Sequence, residues 1–242
     1  MPNSQDMDYA AFKRKYAPRA IDISRQVYLV NQDSMRIKKE KTAVANLDKI
    51  LSAVFSITYK KGFQAMSMRD LSLKTGMSLG ALYAYFPGKD QLLAIIQDQG
   101  RAMVYEILDL FSQEHTQPKE RLRAAIKAHL FLSELFRPWF YFTFMEARNL
   151  KPAGCEAVKA MDEHTQKILS DILEQGEAQG VFKPGNHALS ACMIKALQQE
   201  WYLKRWKYTK QKISVDQFAD QVLDMVEGFC CEPPVKKSGK EK

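Results

Sequence analysis

At 242 residues and 46% hydrophobic content, the chain can bury the core of one large domain or two smaller ones. Only 11 glycines and 9 prolines punctuate it, which disfavours a many-turned β architecture and points to long helices. The net charge of +8 is uneven: residues 1–100 hold 15 Lys and Arg against 9 Asp and Glu, and the remainder 21 against 19. A basic N-terminal part suits a phosphate polyanion, although such a charge also serves simply to solvate a surface.

Several function classes fall away at once. Cys155, Cys192, Cys230 and Cys231 form no Cys-x-x-Cys pair, and no His pair stands at zinc-ligand spacing. The expectation is reduced thiols in a cytoplasmic protein, with no metal and no other cofactor. No apolar run is long enough to span a membrane, and the polar N-terminus lacks a signal-peptide core. His115, His129, His164 and His187 are scattered and read as surface or core. Without a paired-carboxylate or nucleophile–base constellation, an enzyme is not expected.

In chain order, residues 1–40 form a polar extension, read as partly helical and partly mobile. It ends on the basic run at Arg36, Lys38, Lys39 and Lys41. This segment is either a solvated, self-packing tail or an arm lying along a phosphate backbone. A helix-turn-helix reader is expected over 41–93. Leu47, Ile50, Leu51, Val54, Phe55 and Ile57 repeat at helical spacing from about Ala43 to Lys60. Ser67 is the N-cap of a second helix, Met68 to Thr75, with Asp70 three residues on. Gly76 supplies the turn. Ser78 caps a third helix, Leu79 to Phe86, which Pro87-Gly88 stops.

A helix that enters the major groove must be slim at its tip and apolar behind. Leu82 and Phe86, four apart, share the buried face. Leu79, Gly80 and Ala81 form a small tip that lets backbone approach base edges. Ser78 and the positive helix end suit a phosphate. Tyr83 and Tyr85 are placed as phosphate or sugar contacts, or as core aromatics. Lys89 is expected to reach a phosphate, and Arg69 to clamp the flanking strand.

The remainder, 94–230, reads as helical throughout, with a frayed tail over 231–242. A helix starts near Lys89 and runs past Leu110. Others are expected from Pro118 to the Arg137-Pro138 break, from Trp139 to Leu150, from Cys155 to Gln179, from His187 to Tyr208, and from Val215 to Phe229. Phe136, Trp139, Phe140, Phe142 and Phe144 belong to an aromatic band that serves either as pocket lining or as plain core. Glu146 and Arg148 follow on the same helix, in position for polar contacts at a pocket mouth.

The reader resembles the TetR/AcrR transcriptional regulators. The matching residues are Gly62-Phe63, Ser67 to Leu71, Gly76-Met77-Ser78, Leu82-Tyr83-Ala84-Tyr85-Phe86 and Lys89-Asp90-Gln91-Leu92-Leu93. Ser72 and Thr75 depart from the alanines usual in that family's second helix, and Thr58 from a phenylalanine whose space Phe55 is placed to fill. The extension is longer than typical. The resemblance implies an all-α protein whose C-terminal domain binds a ligand and dimerises through its last helix pair, with Met193, Leu197, Leu203, Phe218, Val222 and Met225 as the apolar faces. It further implies a homodimeric repressor on a palindromic operator, released by a small hydrophobic or amphipathic effector. The C-terminal half is similar in outline to fatty-acid-responsive members, which makes an acyl-CoA the first candidate for Phe136, Trp139, Phe140, Phe142, Phe144 and Arg148. The alternative is a ligand-independent activator or architectural DNA-binding protein.

Overall fold

The computed structural model describes residues 7–113, 115–147 and 152–231. Among these residues twelve helices follow one another: α1 (Tyr9–Tyr16), α2 (Pro18–Asn31), α3 (Glu40–Lys61), α4 (Met68–Thr75), α5 (Leu79–Tyr83), α6 (Lys89–Gln113), α7 (Pro118–Leu135), α8 (Arg137–Glu146), α9 (Pro152–Ala178), α10 (His187–Leu203), α11 (Arg205–Lys210) and α12 (Val215–Cys230). Among the described residues the only strand-like pairing is a single bridge between Phe182 and Cys231. None of these helices is long and apolar enough to cross a membrane. The four cysteines are free thiols. The frayed tail expected past Cys231, and Arg148 on the aromatic helix, lie outside the described residues.

The chain gathers into two compact units, each built from separated stretches. One comprises Ala10–Glu106 and Leu132–Asp162. In it α3 packs on α2, α4 and α8. Its centre is Leu47, Ile50 and Val54 of α3, with Leu71 and Leu82 from the two reader helices, Phe86 from the turn after them and Ile96 from α6. Each is fully or almost fully withdrawn from water, and burial of such a side chain is worth about 1.5–3 kcal/mol. The N-terminal extension belongs to this packing, since α2 buries Ser24, Val27 and Tyr28, and α1 buries Phe12 against Tyr16 with ring centroids 4.6 Å apart.

Among the described residues the other unit holds Ile107–Phe131 and the stretch from Glu163 to Cys231, joined by Met7 to Tyr9. Ile126 and Leu130 of α7, Leu169, Ile172 and Leu173 of α9, and Trp201 of α10 form its core. Here α12 pins α7 through Glu227, which Lys119 approaches at 3.1 Å and Arg123 grips with both its Nε and Nη2. Burial alone would raise the Glu227 carboxyl; the hydrogen bonds from Arg123 and Lys119 outweigh it and lower the group below its ordinary range.

Several helix ends differ from the sequence expectation, and two of them reshape the packing. The third reader helix closes at Tyr83, not Phe86: the amides of Tyr85 and Phe86 both turn back to the Leu82 carbonyl, at 3.0 and 3.1 Å. The expected single helix from His187 to Tyr208 breaks at Lys204 (φ −119°, ψ 32°). The break folds Tyr208 back so that it stacks on Trp201 at 5.3 Å, with Phe218 4.9 Å from both rings. Burying that aromatic trio outweighs the helical hydrogen bonds lost at one residue.

Gly100 shows how tightly α6 and α8 are fitted. A Cβ at this position would lie 1.9 Å from the Trp139 indole, which is itself buried with its Nε1 donating to the Ile96 carbonyl at 2.9 Å. In an open helix Gly→Ala gains up to about 1 kcal/mol. Here Gly100→Ala is expected to destabilise by about 1–3 kcal/mol through overpacking, so urea unfolding gives the opposite sign to the helix-propensity rule.

Candidate nucleic-acid interface

The reader is held by local bonds that its sequence encodes. Ser67 accepts from the Asp70 amide at 3.2 Å while Asp70 accepts from the Ser67 amide at 2.7 Å, a reciprocal cap. Lys61, at the end of α3, pairs with Asp70 at 2.8 Å. The Lys61 ammonium first, and then the Ser67 hydroxyl and amide, keep Asp70 ionised far below the usual carboxylate range. Gly76 takes the left-handed conformation (φ +71°) that a residue with a side chain resists, and turns the chain toward α5. Ser72 and Thr75, at positions where alanines were the expectation, brace that turn. The Ser72 hydroxyl donates to the Met77 carbonyl at 2.6 Å, and Thr75 Oγ1 accepts from the Met77 amide at 3.3 Å.

Beyond the turn, Ser78 caps α5 by accepting from the Ala81 amide at 3.2 Å. Leu82 and Phe86 are buried to 0% exposure, which leaves Leu79, Gly80 and Ala81 on the accessible side. Nothing but the Ser78 hydroxyl, 4.0 Å away, lies near the position of a Cβ on Gly80. Tyr83 is 49% exposed, and Ser67 and Arg69 stand in the open beside the cap. One surface of α4 and α5 therefore presents a cation, hydroxyls, a phenol and a slim helix tip.

Tyr85 departs from the expected set. It is 2% exposed, and its hydroxyl accepts from Asn46 Nδ2 at 2.9 Å. Early closure of α5 turns this ring inward onto α3, so Tyr85 positions the reader and its phenol is not presented to a phosphate. Lys89 is engaged within the protein as well: its ammonium donates to the Gln64 carbonyl at 2.9 Å and lies 5.5 Å over the Phe63 ring. It closes the loop before α4 from below.

The aromatic helix α8 reaches the same loop. Phe142 sits with its ring edge-on to Phe55 and Phe63, at 5.6 and 5.8 Å. Glu146, expected at a pocket mouth, is only 4% exposed and accepts from the Phe63 amide at 2.9 Å. Thr143 donates to Gln97 Oε1 at 2.8 Å, and with the Trp139 indole this ties α8 to α6. Of the residues expected around an effector, Phe136, Trp139, Phe140 and Phe142 are buried, and Phe144 is exposed.

Comparison with known proteins agrees with this geometry. Residues 50–96 match the family model for bacterial regulatory proteins of the tetR family, and residues 115–227 match that for the tetracyclin repressor-like C-terminal domain. The chain belongs to the TetR family of transcriptional regulators. Among its relatives is the HTH-type transcriptional regulator HbdR of Aromatoleum sp. (strain CIB), 22% identical over 74% of this chain and 79% of that protein. The ketosteroid transcriptional regulator KstR2 of Mycobacterium tuberculosis has the same fold, with a TM-score of 0.69 at 20% identity over 76% of this chain and 94% of that one. So does AibR, solved with isovaleryl coenzyme A and operator DNA, with a TM-score of 0.64 at 22% identity over 74% and 95% of the two chains.

In this TetR-family chain the last helix pair carries apolar residues on its outer side. Met193 and Met225 are exposed; Leu197, Leu203 and Phe218 are half-buried. Leu189 and Phe229, absent from the sequence expectation, are exposed and extend the two stripes at i, i+4 and i, i+7, i+11 spacing. Val222 is 3% exposed and faces the core of its own unit, so it is not on the outer stripe. Inside that unit the sequence reading also missed a buried polar pair: Lys195 Nζ lies 2.8 Å from His129 Nε2, both nearly sealed from water.

Two measurements follow. Glu146→Ala would leave the sealed Phe63 amide without its carboxylate and is expected to cost about 1–3 kcal/mol in urea unfolding, with Glu146→Gln, whose amide oxygen can still accept, closer to the parent protein. Burial, and then the adjacent Lys195 charge, push His129 well below the usual imidazole range. Its neutral form is the folded one, so its contribution is complete above about pH 6.5 and is lost as pH falls below that value. The stability gap between the parent protein and His129→Gln should shrink between pH 7.5 and 5.5.

Proposed function

We propose that this protein is a homodimeric repressor in the cytoplasm that reads a roughly palindromic operator and releases it on binding a hydrophobic or acyl-CoA effector. The carrying observation is the open surface of α4 and α5: Ser67, Arg69, Ser78 and Tyr83 surround the Leu79–Gly80–Ala81 tip, while Leu82 and Phe86 are locked behind it. Small tip residues suit approach to base edges in the major groove. The flanking cation and hydroxyls suit phosphates, which set register without reading sequence.

The exposed stripes on α10 and α12 support self-association. Apolar residues at regular spacing on paired helices are covered when two copies meet about a two-fold axis. Such a dimer presents its readers about 34–36 Å apart, one turn of duplex. For the effector, the support is the buried aromatic content of α8 together with its ties to α3 and α6. A ligand that parts Trp139 and Phe140 from their neighbours displaces the helix that also holds the Phe63 turn. It shifts the protein away from DNA only if it binds the displaced arrangement more tightly. AibR, which shares the fold, is the precedent for an acyl-CoA.

Footprinting on genomic fragments should reveal protected, roughly two-fold-symmetric sites. On such a site Arg69→Ala is expected to weaken binding and to lower the slope of log affinity against log salt by about 1, the signature of one lost phosphate contact. Tyr83→Phe should weaken all sequences alike. Substitution at Gly80 or Ala81 should change base preference. A reader whose affinity and salt slope ignore Arg69 and Tyr83 would overturn this docking, and a panel of acyl-CoAs that neither shifts the melting temperature nor releases DNA would overturn the effector class.

A further inference from the structure

The segment joining α2 to α3 is fastened to the recognition helix itself. The Arg36 amide donates to the carbonyl of Ala84, the residue that closes α5, at 2.9 Å. Met35 beside it is 1% exposed, and the Tyr28 hydroxyl donates to the Lys38 carbonyl at 2.9 Å. The basic run therefore has a fixed place next to the reader, one residue along from the exposed Tyr83.

What this segment presents outward is cationic. The side chains of Arg36 and Lys39 are exposed, and so is that of Lys41 in the first turn of α3. Glu40, which lies among them, is neutralised by Arg25 at 2.8 Å, and Lys38 turns back to the Gln32 carbonyl at 3.0 Å. Asp33 is also exposed, but toward the α2 end of the segment. We infer that Arg36, Lys39 and Lys41 form a second DNA-contact surface, a phosphate-binding flank that takes the duplex backbone beside the groove entered by α5. This rests on the proposed reading of α4 and α5 and extends its footprint outward. The contacts are electrostatic and indifferent to sequence, because the patch meets the phosphate backbone and not the groove that α5 enters.

The test uses the full chain and a labelled mixed-sequence duplex of about 30 base pairs, titrated across salt concentrations. Replacing Arg36, Lys39 and Lys41 with Gln is expected to weaken binding about tenfold or more and to lower the salt slope by about 2–3, near 0.9 for each phosphate released. Arg36→Lys, which keeps the charge, should retain most of the slope. A control triple variant at Lys159, Lys167 and Lys210, exposed residues of other helices, removes the same net charge and should change little. The inference is overturned if the flank triple binds like the parent while Arg69→Ala weakens binding, an outcome that leaves the reader intact. It is equally overturned if the control triple loses as much as the flank triple. If the parent protein shows no salt-dependent binding at all, the reading of α4 and α5 falls and the flank falls with it.

Discussion

Glu146 accepts a hydrogen bond from the Phe63 amide at 2.9 Å in a place where neither residue reaches water, and the position of the reader depends on that contact. Phe63 lies on the turn between α3 and α4, so its backbone sets where the second reader helix begins. An amide sealed from solvent must find an acceptor within the protein. Here the acceptor comes from a helix more than eighty residues further along the chain. Phe142, one turn before Glu146, fills the space between Phe55 and Phe63 and keeps water from competing for the bond. The carboxylate supplies direction, and the rings supply the dry surroundings that give it strength.

The same helix is anchored on its other side. Trp139 donates to the Ile96 carbonyl across the space that Gly100 leaves empty, and Thr143 donates to Gln97. Together with the Phe63 bond, these attach α8 to α6 and to the turn between α3 and α4 at once. α6 opens with Lys89, whose ammonium closes the loop ahead of α4. α8 is thereby tied to the reader along two routes, one through the turn after α3 and one through α6. Interiors packed this closely hold their helices in one mutual arrangement.

The parts of this architecture legible in the sequence are those written over three or four residues. The caps at Ser67 and Ser78, the turn at Gly76 and the helix starts at Pro118 and Lys89 depend on neighbours in the chain, and local chemistry suffices to place them. The inward turn of Tyr85 was not legible, because it follows from α5 closing after Tyr83 and from Asn46, a partner on another helix. Glu146 looked like a polar rim residue for the same reason: its partner is a backbone amide, which no side-chain pattern advertises. Helical spacing puts Val222 in line with Phe218, Met225 and Phe229, yet only its neighbours are open to solvent, since a stripe's edge is settled by the helix packed against it. The break at Lys204 was hidden because it satisfies aromatic stacking in three dimensions while violating no local preference.

Charge is arranged with similar economy. Glu227 and Glu40 each meet a cation within their own unit, so these acids are spent on holding helices together. Asp70 does the same for the entry to α4. Around the reader stand the cations Arg69 on α4, Arg36 and Lys39 on the segment bound to the end of α5, and Lys41 in the first turn of α3. A modest net charge thereby becomes a strong local field. Scattered over the surface, the same cations would be screened over a Debye length of about 8 Å at physiological salt. Gathered around one slim helix end, they act on phosphates at contact distance, where screening is weakest and where orientation of the helix tip toward the groove has to be decided.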